Sequence, residues 1–198
     1  MKSRLMTGLL MIGASTARAV EAPVQHITVI VRDFAGIPDA TLRGAETQAE
    51  GILGTAGVPI AWVEQPAYDT SRTPRPTELV VDVLPADVTR RNLDPGALGY
   101  AVPPQSGPFG SYAGILYGRV QQVSATGTSA SVVLGYAIAH ELGHLLLGPG
   151  RHALSGVMKA NWAHADLVLA AEGRFGFQPA ERQRLRKNFL LRLEASGS

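Results

Sequence analysis

The chain contains no cysteine among its 198 residues, and this absence excludes three kinds of chemistry. Without cysteine the protein cannot form disulfide bonds, bind zinc through thiolates, or use a cysteine nucleophile. An exported protein without disulfides fits a bacterial periplasm or growth medium better than a disulfide-rich extracellular scaffold.

Charged residues are sparse, at 17% of the chain, and three of the cationic ones stand in the first 22 residues. Lys2 and Arg4 form a basic start, residues 5–14 are mostly apolar, and residues 17–19 read Ala-Arg-Ala. This order is typical of a secretory signal peptide. We therefore expect residues 1–22 to be a signal peptide, residues 23–198 to form one domain, and the protein to be secreted or periplasmic.

Cleavage after Ala19 would remove three positive charges and change the formal net charge from +2 to −1. A chain of that charge offers no electrostatic case for binding nucleic acid. We find no further segment that is long and apolar enough to predict a membrane span, so no stable membrane insertion is expected after the leader is removed. The sequence does not determine the oligomeric state.

The remaining chain predicts an α+β domain. Strands are predicted at residues 26–31, 60–63, 78–84 and 115–123, from β-branched and apolar runs bounded by turn residues. A helix with one apolar face is predicted between the first two strands, starting after Asp39 and ending at Gly57. Residues 66–77 and 94–114 are rich in proline or glycine and are predicted to be loops.

Two more helices are predicted in the second half of the chain. Residues 129–147 are apolar nearly all round, which is typical of a helix in the protein interior. The C-terminal helix begins at Gln178 and Pro179, with a buried stripe predicted at Leu185, Phe189, Leu190 and Leu193. Its basic residues, Arg192 among them, are predicted to cover the solvated side. The order of elements predicts a single α+β domain.

The interior helix carries the strongest motif of the chain, H-E-x-x-H, formed by His140, Glu141 and His144. Residues four apart on a helix lie on the same face, so both imidazoles can reach one Zn²⁺. Glu141 follows the first histidine and can act as general base on a metal-bound water. Burying three titratable groups in an apolar helix is costly without a metal. We therefore predict one catalytic zinc ion.

A catalytic zinc site usually has three protein ligands. Gly148, Pro149 and Gly150 break the helix after His144, so the chain can turn and bring His152 back to the metal. His152 is therefore the favoured third ligand. The alternatives are Glu172 or Asp166, and after them His164.

The segment 140–158 resembles the zinc metallopeptidases called zincins, and among them the metzincins, whose pattern is H-E-x-x-H-x-x-G-x-x-H followed by a methionine turn. Gly148, His152 and Met158 match the later positions, but the glycine comes one residue late and the third histidine two residues late. The resemblance implies a small mixed sheet packed on the central motif helix, with a C-terminal helix. It also implies that residues 115–120 form an edge-like strand that pairs with an extended peptide substrate.

The leading functional hypothesis is peptide-bond hydrolysis by a zinc endopeptidase, with Glu141 as base and His140, His144 and His152 as ligands. Its expected partner is a peptide or protein substrate. A second hypothesis is a non-catalytic zinc-containing domain that binds peptides. Glu141 argues against it, since a purely structural site gains nothing from a general base. A third keeps the zinc chemistry but acts on another amide, such as a cell-wall peptide.

Overall fold

The computed structural model describes residues 25–64, 73–86, 93–105, 107–148 and 152–197. The predicted signal peptide lies outside these residues. The strands are β1 (Ile27–Asp33), β2 (Ile60–Glu64), β3 (Glu78–Leu84), β4 (Gly99–Ala101) and β5 (Tyr112–Leu116). The helices are α1 (Asp39–Thr55), α2 (Tyr117–Ser124), α3 (Ala130–Leu147), α4 (His164–Ala171) and α5 (Pro179–Ser196). The described part of the chain thus has the predicted α+β composition.

All five strands belong to one mixed sheet with the order β2-β1-β3-β5-β4. The first four are parallel, and β4 runs antiparallel to β5 at the edge of the sheet. Successive side chains of a strand point to opposite faces. In β1, Val29 and Val31 accordingly join the main core with Leu79 and Val81 of β3, whereas Ile30 belongs to a separate small cluster.

Helix α3 lies in the centre of this core and contacts α1, α2, α4, α5, β4 and β5. Helices α3 and α1 approach closely at Gly135, where a Cβ atom would lie 2.7 Å from the carbonyl oxygen of Ala45 in α1. Helix α3 is long and apolar enough to cross a membrane by length and composition, contrary to our expectation that no such segment follows the leader. However, 72% of it is buried inside the protein, so packing in the core accounts for its composition.

The predicted strand at residues 115–123 is wrong after Leu116. Strand β5 ends at Leu116 and α2 begins at Tyr117. The buried residues of α2 are Tyr117 and Val120, three positions apart, which is the spacing of a helix rather than of a strand. Strand β5 also lies between β3 and β4, so it is not an edge strand. The edge strand beside β5 is β4, in the region predicted to be a loop.

Two features of the C-terminal half also differ from the prediction. Helix α4 was not predicted. In α5, Leu190 is 48% exposed and Arg192 is completely buried, the reverse of their predicted positions. Phe189 lies four residues after Leu185, and Arg192 three residues after Phe189. All three therefore lie on the buried stripe of the helix.

Candidate metal centre

Helix α3 places His140 and His144 one turn apart in its last two turns. His140 is buried, and His144 is half-buried. Between them, Gly143 leaves room for the side chain of Met158, because a Cβ atom there would lie 2.5 Å from the Met158 sulfur. Met158 is fully buried, so the methionine predicted to lie near the site packs directly beneath the motif helix.

The structure brings His152 to the same point. Helix α3 ends at Leu147, and Gly148 adopts φ +93°, a left-handed conformation that favours glycine. The chain then returns so that Nε2 of His152 lies 3.1 Å from Nε2 of His144. Nε2 of His144 is also 3.1 Å from Nε2 of His140. The three potential ligand atoms all lie within 4.8 Å of one another.

The two 3.1 Å separations are compatible with a metal ion of zinc's size. Four ligands arranged tetrahedrally at 2.0–2.1 Å from zinc are separated from one another by about 3.3 Å. The two 3.1 Å separations are close to that edge length. Three imidazole nitrogens cannot all satisfy one another by hydrogen bonds, whereas one cation accepts a lone pair from each.

The hydrogen bond of His140 orients its ring for this role. Nδ1 of His140 lies 2.7 Å from the carbonyl oxygen of Val157. A carbonyl oxygen only accepts, so Nδ1 carries the proton and Nε2 presents its lone pair to the centre of the cluster. Burial lowers the pKa of His140 to about 4 and that of His144 to about 3. Both rings are therefore neutral at pH 7, as metal ligands must be.

The segment that carries His152 and Val157 is fixed by main-chain bonds. The N–H of Ala153 donates to the carbonyl of Met158 at 2.8 Å, which closes a turn. The N–H of Val157 donates to the carbonyl of Gly176 at 3.1 Å. The carbonyl of Val157, which accepts from His140, is therefore held in place by the irregular segment that precedes α5.

Glu141 points from α3 toward strand β4. A Cβ atom at Gly99 would lie 2.9 Å from Oε1 of Glu141, so glycine is required there for the carboxyl group to keep its position. Glu141 is 5% exposed, and burial raises its pKa to about 8. A carboxyl group with a pKa near 7 can both accept and donate a proton in neutral solution.

The alternative third ligands lie elsewhere. Oδ2 of Asp166 accepts from the ammonium group of Lys159 at 2.5 Å and from the N–H of Ala163 at 2.7 Å. Glu172 forms an exposed ion pair with Arg174 at 2.8 Å. His164 is exposed at the start of α4. Among the described residues, only His140, His144 and His152 form a group able to hold a metal ion.

The histidines open into a cavity of about 610 Å³. One wall is β4 with its two flanking residues. Tyr100 of β4 pairs with Gly114, and the flanking Leu98 and Val102 hydrogen-bond to Leu116 and Tyr112 of β5. Hydrogen-bonded residues alternate along an antiparallel pair, so the N–H and C=O groups of Gly99 and Ala101 point away from β5, toward the outer edge. Both residues line the cavity.

Helix α5 forms another part of the cavity wall, which the sequence interpretation missed. Asn188 and Leu191 line the cavity. The Asn188 amide donates to the carbonyl of Leu146 at 2.6 Å. That carbonyl belongs to the last turn of α3, where helix carbonyls lack partners within the helix.

Arg192 connects α5 to three other parts of the fold. Its guanidinium donates to the carbonyls of Pro76, Gly110 and Leu145 at 2.6, 2.8 and 2.8 Å. It also lies 4.8 Å from the centre of the Phe109 ring. Burial lowers the pKa of Arg192 to about 10, so the side chain remains charged at neutral pH. The signal in the sequence was its position in the apolar stripe of α5.

No protein-family model matches this chain. No curated protein matches it significantly either.

Proposed function

We propose that this protein is a zinc-dependent endopeptidase of the zincin type, with metzincin-like features. The observation that carries the proposal is the convergence of three histidine Nε2 atoms beside the buried carboxyl group of Glu141, at the wall of a cavity. The late spacing of Gly148 and His152 makes the protein an atypical member of that group.

His140, His144 and His152 would hold the ion. Zinc bound by three protein ligands is a Lewis acid that polarises a carbonyl group and lowers the pKa of water toward 7. The N–H of His140 that donates to Val157 keeps that ring in the ligating tautomer. The side chain of Met158 packs against α3 at Gly143 and so helps to fix the position of the helix.

Glu141 carries the proton transfers. Its carboxylate takes a proton from the attacking water and passes it to the leaving amine. Gly99 keeps β4 close to this side chain without displacing it. Burial holds the pKa of Glu141 near 8, close to the pH at which both transfers must occur.

The open edge of β4 supports a peptide as the substrate. An extended peptide can add to a sheet edge through main-chain hydrogen bonds, and Gly99 and Ala101, whose main-chain groups point away from β5, both line the cavity. This edge replaces the segment 115–120 that the resemblance had suggested for the same role. A non-peptide amide would make less use of it.

The test compares the wild-type domain with its Glu141→Gln variant. We expect zinc-loaded wild type to cleave unstructured peptides, a chelator to stop it, and the variant to lose at least about 1000-fold in kcat while binding equal zinc. Zinc content is measured by atomic absorption and cleavage by mass spectrometry. Full activity of the variant would refute the role of Glu141.

The two alternative functions predict different results in the same experiment. If the zinc-loaded wild type binds peptides in its cavity without cutting them, it is a non-catalytic zinc domain. If it cleaves only cell-wall peptides or other amides, the zinc chemistry stands and the substrate class changes.

A further inference from the structure

We propose that the end of the cavity formed by α5 is a subsite for a large apolar side chain of the substrate, and that Leu191 sets this preference. The inference rests on the proposed peptidase function, since it concerns the substrate of the same site. It follows from the continuity of the cavity, the character of its lining, and the way its wall is held.

The cavity is continuous from the histidines to α5. Leu145, the residue after His144, lines it, and so do Phe109 and Leu191. Every described residue that segment 102–110 and α5 contribute to the lining is uncharged, and most are apolar. A buried apolar side chain gains free energy there, whereas a charged one would lose its hydration without a partner.

The wall in this part of the cavity is fixed by packing and by the buried arginine. Gly110 lies so close to α3 that a Cβ atom would be 3.0 Å from Cδ2 of Leu145. Arg192 donates to the carbonyls of both Gly110 and Leu145, and its guanidinium covers the Phe109 ring. The subsite is therefore formed before substrate binds, which reduces the entropy cost of binding.

Leu191 is the residue of α5 that a substrate side chain would contact. It is 42% exposed, although it is a large apolar residue at the cavity wall. Its neighbour Leu190 is 48% exposed and does not line the cavity. The pair gives a matched control, because both leucines lie on the same helix with similar exposure and only one borders the cavity.

The experiment uses fluorescein-labelled decapeptides with alanine at all positions but one, where Leu, Phe, Ser or Asp is scanned, and lysine at both ends for solubility. Cleavage is measured as kcat/KM for the zinc-loaded wild type and for the Leu191→Arg, Leu191→Trp and Leu190→Arg variants. Binding of the same peptides is measured by anisotropy in the Glu141→Gln background. Both leucines are partly exposed, so the variants are expected to fold.

We expect one peptide position at which the wild type favours Leu or Phe over Asp by about 10- to 100-fold. Leu191→Arg should shift that preference toward Asp by about 10-fold, and Leu191→Trp should reduce the preference for Phe. Leu190→Arg should leave both unchanged. The same preference after Leu191→Arg as in wild type would overturn the inference.

The design separates failure of this inference from failure of the peptidase proposal. If no peptide is cleaved by the zinc-loaded wild type, the peptidase proposal fails. The anisotropy measurements then still test the subsite: selective binding that depends on Leu191 supports it, and equal binding of all peptides overturns it.

Discussion

The histidine cluster and the buried side chain of Arg192 both contact the last turns of α3, but their hydrogen bonding is opposite. At the first, three imidazole nitrogens converge on one point, and no cation among the described side chains satisfies them. At the second, one buried cation meets three carbonyl oxygens. The histidines present ligand atoms that could hold one metal ion. The guanidinium of Arg192 already donates to three main-chain carbonyls, and its Nε is buried without a partner among the described residues. We therefore propose metal binding for the histidines and structural anchoring for Arg192.

The largest effect that would test this comparison is on metal binding. His152→Ala should weaken zinc binding at least about 1000-fold, because one of three protein ligands is lost. His164→Ala is the matched control, since His164 is an exposed alternative ligand outside the cluster. Competition with a fluorescent zinc indicator measures both. Equal affinity for the His152 variant and wild type would move the third ligand elsewhere.

The next largest effect is on the free energy of unfolding and concerns Arg192. Arg192→Met should lower the free energy of unfolding by about 3 kcal/mol, because three carbonyl groups lose their donor in the interior. The loss should be the same with zinc or with chelator, since Arg192 is not part of the histidine cluster. Urea unfolding measures it. Arg184→Met, at an exposed position of the same helix, should change little.

The smallest effect is on the pH dependence of stability, which burial of the Glu141 carboxyl group should change. The pKa of Glu141 rises from 4.5 to about 8 on folding, so above pH 4.5 the folded state holds a proton that the unfolded state releases. The stability of the metal-free wild type should therefore fall, relative to Glu141→Gln, by about 2 kcal/mol between pH 4 and pH 6.

Unfolding of both proteins with chelator, at several pH values, checks this prediction. The histidines have lowered pKa values and act in the opposite direction, with stability rising as pH increases from about 3–4 to 6.5. They are present in both proteins, so their contribution cancels in the difference. Identical pH profiles would show that Glu141 has no raised pKa.

The elements that were predicted correctly depend on local sequence patterns. The α+β composition and α3 follow from hydrophobic periodicity, and the motif places His140 and His144 on one face by helix geometry alone. The prediction of His152 as third ligand uses the glycines that follow Leu147 in the sequence. The structure places its Nε2 3.1 Å from that of His144, and its role as a ligand stays a prediction. These inferences use residues close together in sequence.

The elements that were missed depend on contacts between distant segments. Strand β4 has three residues in a glycine- and proline-rich stretch and is ordered by pairing with β5, which no local pattern shows. Residues 117–124 contain two valines and a tyrosine, residue types that favour strands. Their spacing of three is that of a helix, which the prediction of a strand overlooks. The charge of Arg192 predicts a solvent-exposed side chain. Its three carbonyl partners come from distant segments: Pro76 just before β3, Gly110 between β4 and β5, and Leu145 in α3.

The anchoring of Arg192 also has a consequence for the order in which contacts can form during synthesis. Its bond to Pro76 joins residues 116 positions apart, so that contact closes only after α5 has been made. At about 5–20 residues per second, the roughly 40 residues between His152 and Arg192 take several seconds to emerge. During that interval the nascent chain already has its three histidines but not the wall that would select a substrate.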